Sequence, residues 1–238
     1  PWNFPFFLIA RKLAPALVCG NTIVIKPSEE TSANAFEFFK LLQKAELPAG
    51  TANLVSGRGE TVGAALSSSP KIGMISFTGS VETGSEVMGA AVPHLTKVNL
   101  ELGGKAPALV MADADLDLAV EAVKSSRLIN SGQVCNCVER VYVDTKIADE
   151  FTAKLVVAMQ SARFGDPNQD ETLDYGPMIN EEGFQKVDSM VAEAKRAGSE
   201  VVTGGQRSDS DTGYYYEPTV LSGCEQDMDI VRKEIFGP

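Results

Sequence analysis

Residues Ile72–Gly104, IGMISFTGSVETGSEVMGAAVPHLTKVNLELGG, decide the fold of this chain. Ile72 to Phe77 is a short apolar run closed by Thr78-Gly79-Ser80, which predicts a strand. Glu82 to Ala91 then spaces its apolar residues for a helix, and Lys97 to Leu102 predicts a second strand ending in Gly103-Gly104. A strand, a helix and a strand in this order form the repeating unit of a parallel sheet.

The residues before Ile72 repeat the theme. A proline-bracketed extended corner, Pro1 to Pro5, precedes helical spacing from Phe6 to Val18, and Gly20-Asn21 ends that helix. Thr22 to Ile25 is β-branched and apolar, so it predicts a buried strand. Ser32 to Lys44 is an amphipathic helix, Ala52 to Val55 a short strand, and Thr61 to Leu66 a helix behind the turn Gly57-Arg58-Gly59. The expected fold class is therefore α/β with a largely parallel, doubly wound sheet. Ligands of such sheets collect at the carboxyl ends of the strands. Here those ends read Lys26-Pro27-Ser28-Glu29, Ser56-Gly57-Arg58-Gly59, Thr78-Gly79-Ser80 and Glu101-Leu102-Gly103-Gly104, without a GxGxxG fingerprint. Ser80 has two readings, a phosphate contact at a helix start or a plain N-cap.

From Lys105 the pattern restarts. Strands are predicted at Ala108 to Met111, Arg140 to Asp144 and Glu200 to Val202. Helices are predicted from Leu116 to Asn130, opened by Asp113-Ala114-Asp115, from Ala148 to Ala162 and from Glu181 to Ala197. Phe164 to Asn180 is long, polar and turn-rich, which marks a functional loop or an excursion over a neighbour. A polar Asp/Ser turn precedes Tyr214-Tyr215-Tyr216, read as a strand with alternating faces. The division falls at Gly103-Gly104, giving domains 1–103 and 104–238.

Composition narrows the function classes. The 238 residues carry a formal net charge of −11 and no basic run, which argues against nucleic acid or an anionic membrane as partner. No apolar run approaches the roughly 18 residues of a membrane span. Four irregularly spaced cysteines fit neither a disulfide scaffold nor a zinc site, and read as thiols of a reducing, cytoplasmic compartment with no metal expected. The single histidine, His94, reads as a surface residue, so a general base is expected among the carboxylates. Both ends read as cut from a longer chain, and the segment alone is expected to be inactive.

The remaining chemistry lies in Asn130–Arg140, NSGQVCNCVER. Cys135 reads either as a buried small hydrophobe or as a nucleophile. A nucleophile would need nearby positive charge, for which Lys105, Arg127 and Lys26 are candidates. Glu101 likewise reads either as an ion-pair partner of Lys105 or as a base whose affinity for protons is raised at the end of a buried strand.

Six segments occur together and in order: Trp2-Asn3-Phe4-Pro5, Lys26 to Glu29, Phe77 to Ser80, Glu101 to Lys105, Gly132 to Cys135, and Glu234 to Pro238. In this combination the chain resembles the NAD(P)-dependent aldehyde dehydrogenase superfamily over its whole length. The wording of PWNFPFFLIARK and INSGQVCNCVERVYV resembles the bacterial lactaldehyde and glycolaldehyde dehydrogenases of that superfamily. The resemblance implies part of a doubly wound nucleotide-binding sheet, then an α/β catalytic domain, each incomplete. It implies Cys135 as nucleophile, Glu101 as the base that activates water, and Asn3 with the Cys135 backbone N–H as oxyanion donors. For the cofactor it implies Lys26 and Glu29 at the adenosine ribose, Ser80 at the pyrophosphate, Glu234 and Phe236 at the nicotinamide ribose and ring, and Ser28 and Gly79 as further cofactor contacts. Trp2 and Leu102 would add backbone or packing contacts. Glu29 tilts the choice toward NAD over NADP, because a carboxylate accepts from a ribose diol and repels a 2′-phosphate. Leu8 and Arg11, one helical step apart, and Asn136 are the implied substrate contacts. Arg11 either suggests a polar or hydroxylated aldehyde or is plainly solvated. Cys137 is left as packing or a bystander thiol. The implied assembly is a homodimer or homotetramer acting on a small aldehyde. The alternatives are a succinate-semialdehyde or general aldehyde dehydrogenase, or a non-catalytic nucleotide-binding relative.

Overall fold

Pro5 opens the first helix, α1 (Pro5–Val18), at the position where a missing N–H costs nothing. Cys19 caps it and Gly20 turns the chain out in the left-handed region at φ +76°. This computed structural model describes residues 1–208 and 212–238; the expected Asp/Ser turn at 209–211 lies outside the described residues. The chain packs as two compact units, Pro1–Gly103 and Gly104–Pro238.

In the first unit, β1 (Ile23–Ile25) and β2 (Ala52–Leu54) pair in parallel, with α2 (Ser32–Lys44) as the crossover between them. A π-helical turn at Gly59–Gly63 runs into α3 (Ala64–Ser67), where a plain helix from Thr61 is expected. Then β3 (Met74–Thr78) and β4 (Lys97–Glu101) pair in parallel around α4 (Val81–Ala91), in register Met74↔Lys97 through Thr78↔Glu101. Ser80 starts α4 as an N-cap, its Oγ accepting from the Thr83 N–H at 3.2 Å. Helix α1 buries Ile9 and Leu13, meets α2 through the edge-on rings of Phe6 and Phe38, and reaches β3 through Lys12 Nζ donating to Ser76 Oγ at 2.8 Å. The strand at Thr22–Ile25 is not buried as expected. Side chains alternate across a strand, and here Val24 projects to the open side.

The second unit begins with β5 (Ala106–Val110), α5 (Leu116–Leu128) and β6 (Val138–Val143), again a parallel pair with a helical crossover. Asp115 caps α5 by accepting from the Leu118 N–H at 3.1 Å. Helix α6 (Ala148–Gln160) closes the main core, in which Val120, Val123, Leu128, Phe151, Leu155 and Met159 are buried together. A neighbouring cluster joins Phe184, Val187 and Val191 of α7 (Glu181–Arg196) to Tyr216. Strands β7 (Glu200–Thr203) and β8 (Val220–Ser222) pair antiparallel, and α8 (Asp229–Arg232) follows.

Two expectations fail here for local reasons. The helix expected to reach Asn130 stops at Leu128, because Asn130 and Ser131 take left-handed conformations that no helix continues. The tyrosine triplet is not a strand with alternating faces. Tyr215 and Tyr216 are both buried, and Tyr216 makes only an isolated bridge to Arg207. The Tyr175 hydroxyl donates to the Tyr216 carbonyl at 2.9 Å, which pins the long Phe164–Asn180 segment to this cluster. Among the described residues no helix is long and apolar enough to cross a membrane.

Phe151 is 1% exposed at the centre of the main core. Phe151→Ala is expected to cost about 3–5 kcal/mol, read as a lower denaturant midpoint at unchanged slope.

Candidate active site

Cys135 sits on the loop between α5 and β6, and alternation around it separates the two thiols. Cys135 and Asn136 are exposed, whereas Cys137 is 3% exposed. The approach to Cys135 is strained: Asn130, Ser131 and Gly132 all have positive φ, at 50°, 59° and 70°. For the two non-glycine residues this costs roughly 1–2 kcal/mol each, so the surroundings must hold them there. Ser131 Oγ donates to the Gly176 carbonyl at 2.8 Å. Buried Gln133 donates to the Asn130 carbonyl at 3.0 Å and accepts from the Ile179 N–H at 2.9 Å. The long Phe164–Asn180 segment is therefore the brace of the cysteine loop. At Gly132 a side chain would collide with the Gly237 carbonyl and the Arg127 guanidinium, so this position admits only glycine.

Two of the charges expected to activate Cys135, Arg127 and Lys105, are committed elsewhere in this unit. Arg127 donates to Cys137 Sγ at 3.2 Å, to the Val138 carbonyl at 3.2 Å and to the Gly237 carbonyl. Burial pushes the Cys137 thiol up against the opposing pull of Arg127, in keeping with an inert, packed thiol. Lys105, read above as a possible partner of Glu101, is paired within its own unit. It meets Glu139 at 2.7 Å, and Arg127 meets the other oxygen of the same carboxylate at 3.2 Å. All three side chains are at most 10% exposed. Glu139 also accepts from the Ile235 N–H at 3.0 Å and the Phe236 N–H at 3.1 Å. Burial alone would lift the Glu139 carboxyl, but Arg127, Lys105 and the backbone donors outweigh it and hold it below the usual range.

This network places Glu234, Phe236 and Cys135 in one neighbourhood. The Gly104 N–H donates to Glu234 at 3.2 Å, and a Cβ on Gly104 would stand 3.1 Å from the Cys135 carbonyl oxygen. Gly104 is thus the point where the cysteine loop and the Glu234 carboxylate meet. Burial lifts the Glu234 carboxyl above its ordinary value. Phe236 has φ +63°, a conformation unfavourable for an aromatic residue and held by the Glu139 hydrogen bond.

In the first unit the residues assigned to the cofactor stand at strand ends. Lys26 Nζ lies 3.5 Å from Glu29 and donates to the carbonyls of Pro27 and Gly57. Glu29 accepts from the Gly59 N–H at 2.8 Å; against the upward push of desolvation, backbone donors and Lys26 hold its carboxyl below the usual range. Ser28 caps the following turn through the Glu30 N–H. The Gly79 N–H donates to the Glu101 carbonyl, and a side chain at Gly79 would run into the Phe77 ring. Leu102 packs over Gly84. The donor set suits a nicotinamide dinucleotide. A half-exposed carboxylate keeps acceptor capacity for a ribose diol, Ser80 stands exposed at a helix start, and the buried Thr78 hydroxyl beside it has no hydrogen-bond partner among the described residues.

Glu101 differs from its expected setting. It is 48% exposed, not buried at a strand end, and its carboxylate lies 3.4 Å from Arg11. Arg11, its own side chain 53% exposed, stands at the end of β4. Leu8, Trp2 and Asn3 are half-buried along the start of α1. Among the described residues no group of His, Cys, Asp and Glu could hold a metal ion.

Sequence reasoning missed Glu139 altogether and misread the partners of Arg127 and Lys105. The available signal was a glutamate inside the otherwise strand-like Val138–Val143. Because the Glu139 carboxyl is depressed in the folded state, its stabilising contribution is complete above the unfolded value of about 4.3 and is lost as pH falls through the folded value. Glu234, lifted by burial, acts in the opposite sense, so the informative quantity is a difference between proteins. Glu139→Ala should cost about 3–5 kcal/mol at neutral pH, and the gap in denaturant midpoint from the parent should narrow on acidification.

The aldehyde dehydrogenase family profile matches residues 1–238. The chain is 55% identical to the lactaldehyde dehydrogenase of Escherichia coli K12 over 238 residues, all of this chain and 50% of that protein. The crystal structure of that E. coli protein superposes with a TM-score of 0.98 over 100% of this chain and 50% of the other. A betaine aldehyde dehydrogenase from Staphylococcus aureus, solved with NAD+, gives 0.97 at 37% identity over 100% and 48% of the two chains. A 3,6-anhydro-L-galactose dehydrogenase solved with NADP gives 0.97 at 42% identity over 100% and 50%. The chain spans about half the length of the relatives it matches. It belongs to the aldehyde dehydrogenase family.

Proposed function

We propose that the full-length protein containing this chain oxidises a small hydroxyaldehyde, of the lactaldehyde or glycolaldehyde kind, to the carboxylic acid with NAD. The observation that carries this reading is the exposed Cys135 on a strained, braced loop, with Glu234 brought beside it through Gly104. Backbone strain that the surroundings over-determine is characteristic of a working site.

In this reading the Cys135 thiol gives up its proton to solvent and the thiolate attacks the aldehyde carbon, opening the C=O π bond to give a thiohemiacetal oxyanion. The Asn3 side-chain amide and the Cys135 N–H stabilise its oxyanion, each donor worth about 3 kcal/mol in comparable sites. A bound dinucleotide would supply the hydride acceptor that oxidation of this adduct to a thioester requires. Glu101 then takes the proton of the water that hydrolyses the thioester, releasing acid and the Cys135 thiol. Glu29, with Lys26 beside it, holds the adenosine ribose and favours NAD over a 2′-phosphorylated cofactor. Ser28, Gly79, Ser80, Trp2 and Leu102 complete the dinucleotide contacts, and Glu234 and Phe236 serve its nicotinamide end.

The substrate assignment is supported by the 55% identity to a lactaldehyde dehydrogenase. It is also supported by the polar face that Arg11, three residues beyond Leu8, gives to α1. Asn136, exposed next to Cys135, supplies a second polar contact. Arg11 equally suits a carboxylated aldehyde, so the alternative is succinate semialdehyde. Comparing kcat/KM for lactaldehyde, glycolaldehyde and succinate semialdehyde decides the matter: the hydroxyaldehydes should win, and a preference for the dicarboxylic precursor would reject the assignment.

The mechanism is tested by variants of the full-length protein. Cys135→Ser should abolish aldehyde-dependent NADH formation; persistent turnover would remove the covalent route. Glu101→Gln should retain a burst of NADH of about one equivalent and lose steady-state turnover by about 100-fold or more. Loss of the burst would contradict the role given to Glu101.

A further inference from the structure

We propose that Glu139 is a positioning residue for the nicotinamide end of the site, holding Glu234–Gly237 in place against the Cys135 loop. This rests on the cofactor roles proposed for Glu234 and Phe236. The argument begins with what a buried carboxylate is usually worth. Exchanging a buried ion pair for packed apolar groups is often neutral or stabilising, so such a network is weak evidence of a purely structural device. Here the carboxylate does more than pair with Lys105 and Arg127. It accepts from two successive backbone N–H groups, Ile235 and Phe236, at 3.0 and 3.1 Å. Two bonds to adjacent donors fix the orientation of the peptide between them and hold Phe236 at φ +63°.

Arg127 adds the third attachment by donating to the Gly237 carbonyl. That carbonyl lies against Gly132, on the strained approach to Cys135. On the other side of the segment, Glu234 is fixed by the Gly104 N–H, and Gly104 abuts the Cys135 carbonyl. One buried carboxylate and one buried guanidinium thus set the distance between the cysteine loop and the two side chains assigned to the cofactor. Misplacement by about 1 Å in such a constellation costs up to roughly 100-fold in rate.

The test measures hydrogen exchange, kinetics and thiol reactivity on the full-length protein carrying Glu139→Gln. Arg127→Lys is the second variant, which keeps the positive charge and loses the guanidinium fork. The amides of Ile235 and Phe236 should lose protection in Glu139→Gln. The KM for NAD should rise, or the burst rate fall, by about 10- to 100-fold. Alkylation of Cys135 by iodoacetamide should keep the parental rate, because the thiol and its loop remain folded. Should Glu139→Gln fail to fold, Arg127→Lys is judged by the same kinetic and alkylation readouts. A folded variant that has lost amide protection yet keeps the parental KM and burst rate overturns the positioning role. Undiminished protection overturns the tether itself. A parent protein that binds no NAD would sink the functional reading, and the positioning role with it, while the exchange measurement would still report whether the tether exists.

Discussion

The second unit is organised around one buried carboxylate. Glu139 lies in the middle of the chain and gathers Lys105 from the start of β5, Arg127 from the last turn of α5 and the backbone of Ile235 and Phe236. These groups are far apart in sequence, and all four meet at this carboxylate. With its side chain 2% exposed, Glu139 is out of reach of bulk water, and losing it would leave the buried Lys105 ammonium without its counter-charge and remove one partner from Arg127. The packing of Val187 against Gly237 and the close approach of Gly237 to Gly132 both follow from where this carboxylate pulls the segment.

Around that anchor the cysteine loop stores strain. Three consecutive residues in the left-handed region would relax in an isolated peptide. Here the Phe164–Asn180 segment opposes it, because Ser131 donates to the Gly176 and Pro177 carbonyls and Gln133 accepts from the Ile179 N–H. The result is an exposed Cys135 next to a buried Cys137. The difference between the two thiols is environmental: one stands open, and the other is packed against Arg127 with its thiol form favoured.

Much of this was legible in the residues. Helix α2 begins and ends where the apolar spacing and Lys44 place it, and Ser80 caps α4 as one of its two readings required. The demotion of Cys137 also held, since it is buried. The failures share a cause. A glutamate in Cys-Val-Glu-Arg-Val-Tyr-Val looks like the solvent-facing member of an alternating strand, and only tertiary packing turns it inward. Lys105 and Arg127 looked like activators of a thiolate because sequence gives their charge but not the carboxylate that claims it. Glu101, expected at the end of a buried strand, is half-exposed, and Arg11 stands at its carboxylate. The tyrosine triplet suggested a strand by composition, whereas burial of two adjacent rings needs an irregular backbone.

The account turns on Cys135 as the atom that bonds to substrate. The direct measurement is peptide mapping by mass spectrometry of the full-length protein, acid-quenched within the first turnover with NAD and lactaldehyde. It should find an acyl group of the mass of the lactoyl residue on the peptide containing Cys135, absent without NAD. The peptide containing Cys224 should be unmodified, and Cys137 should carry no adduct. An acyl group on any other side chain, or full turnover with Cys135 never modified, would contradict it.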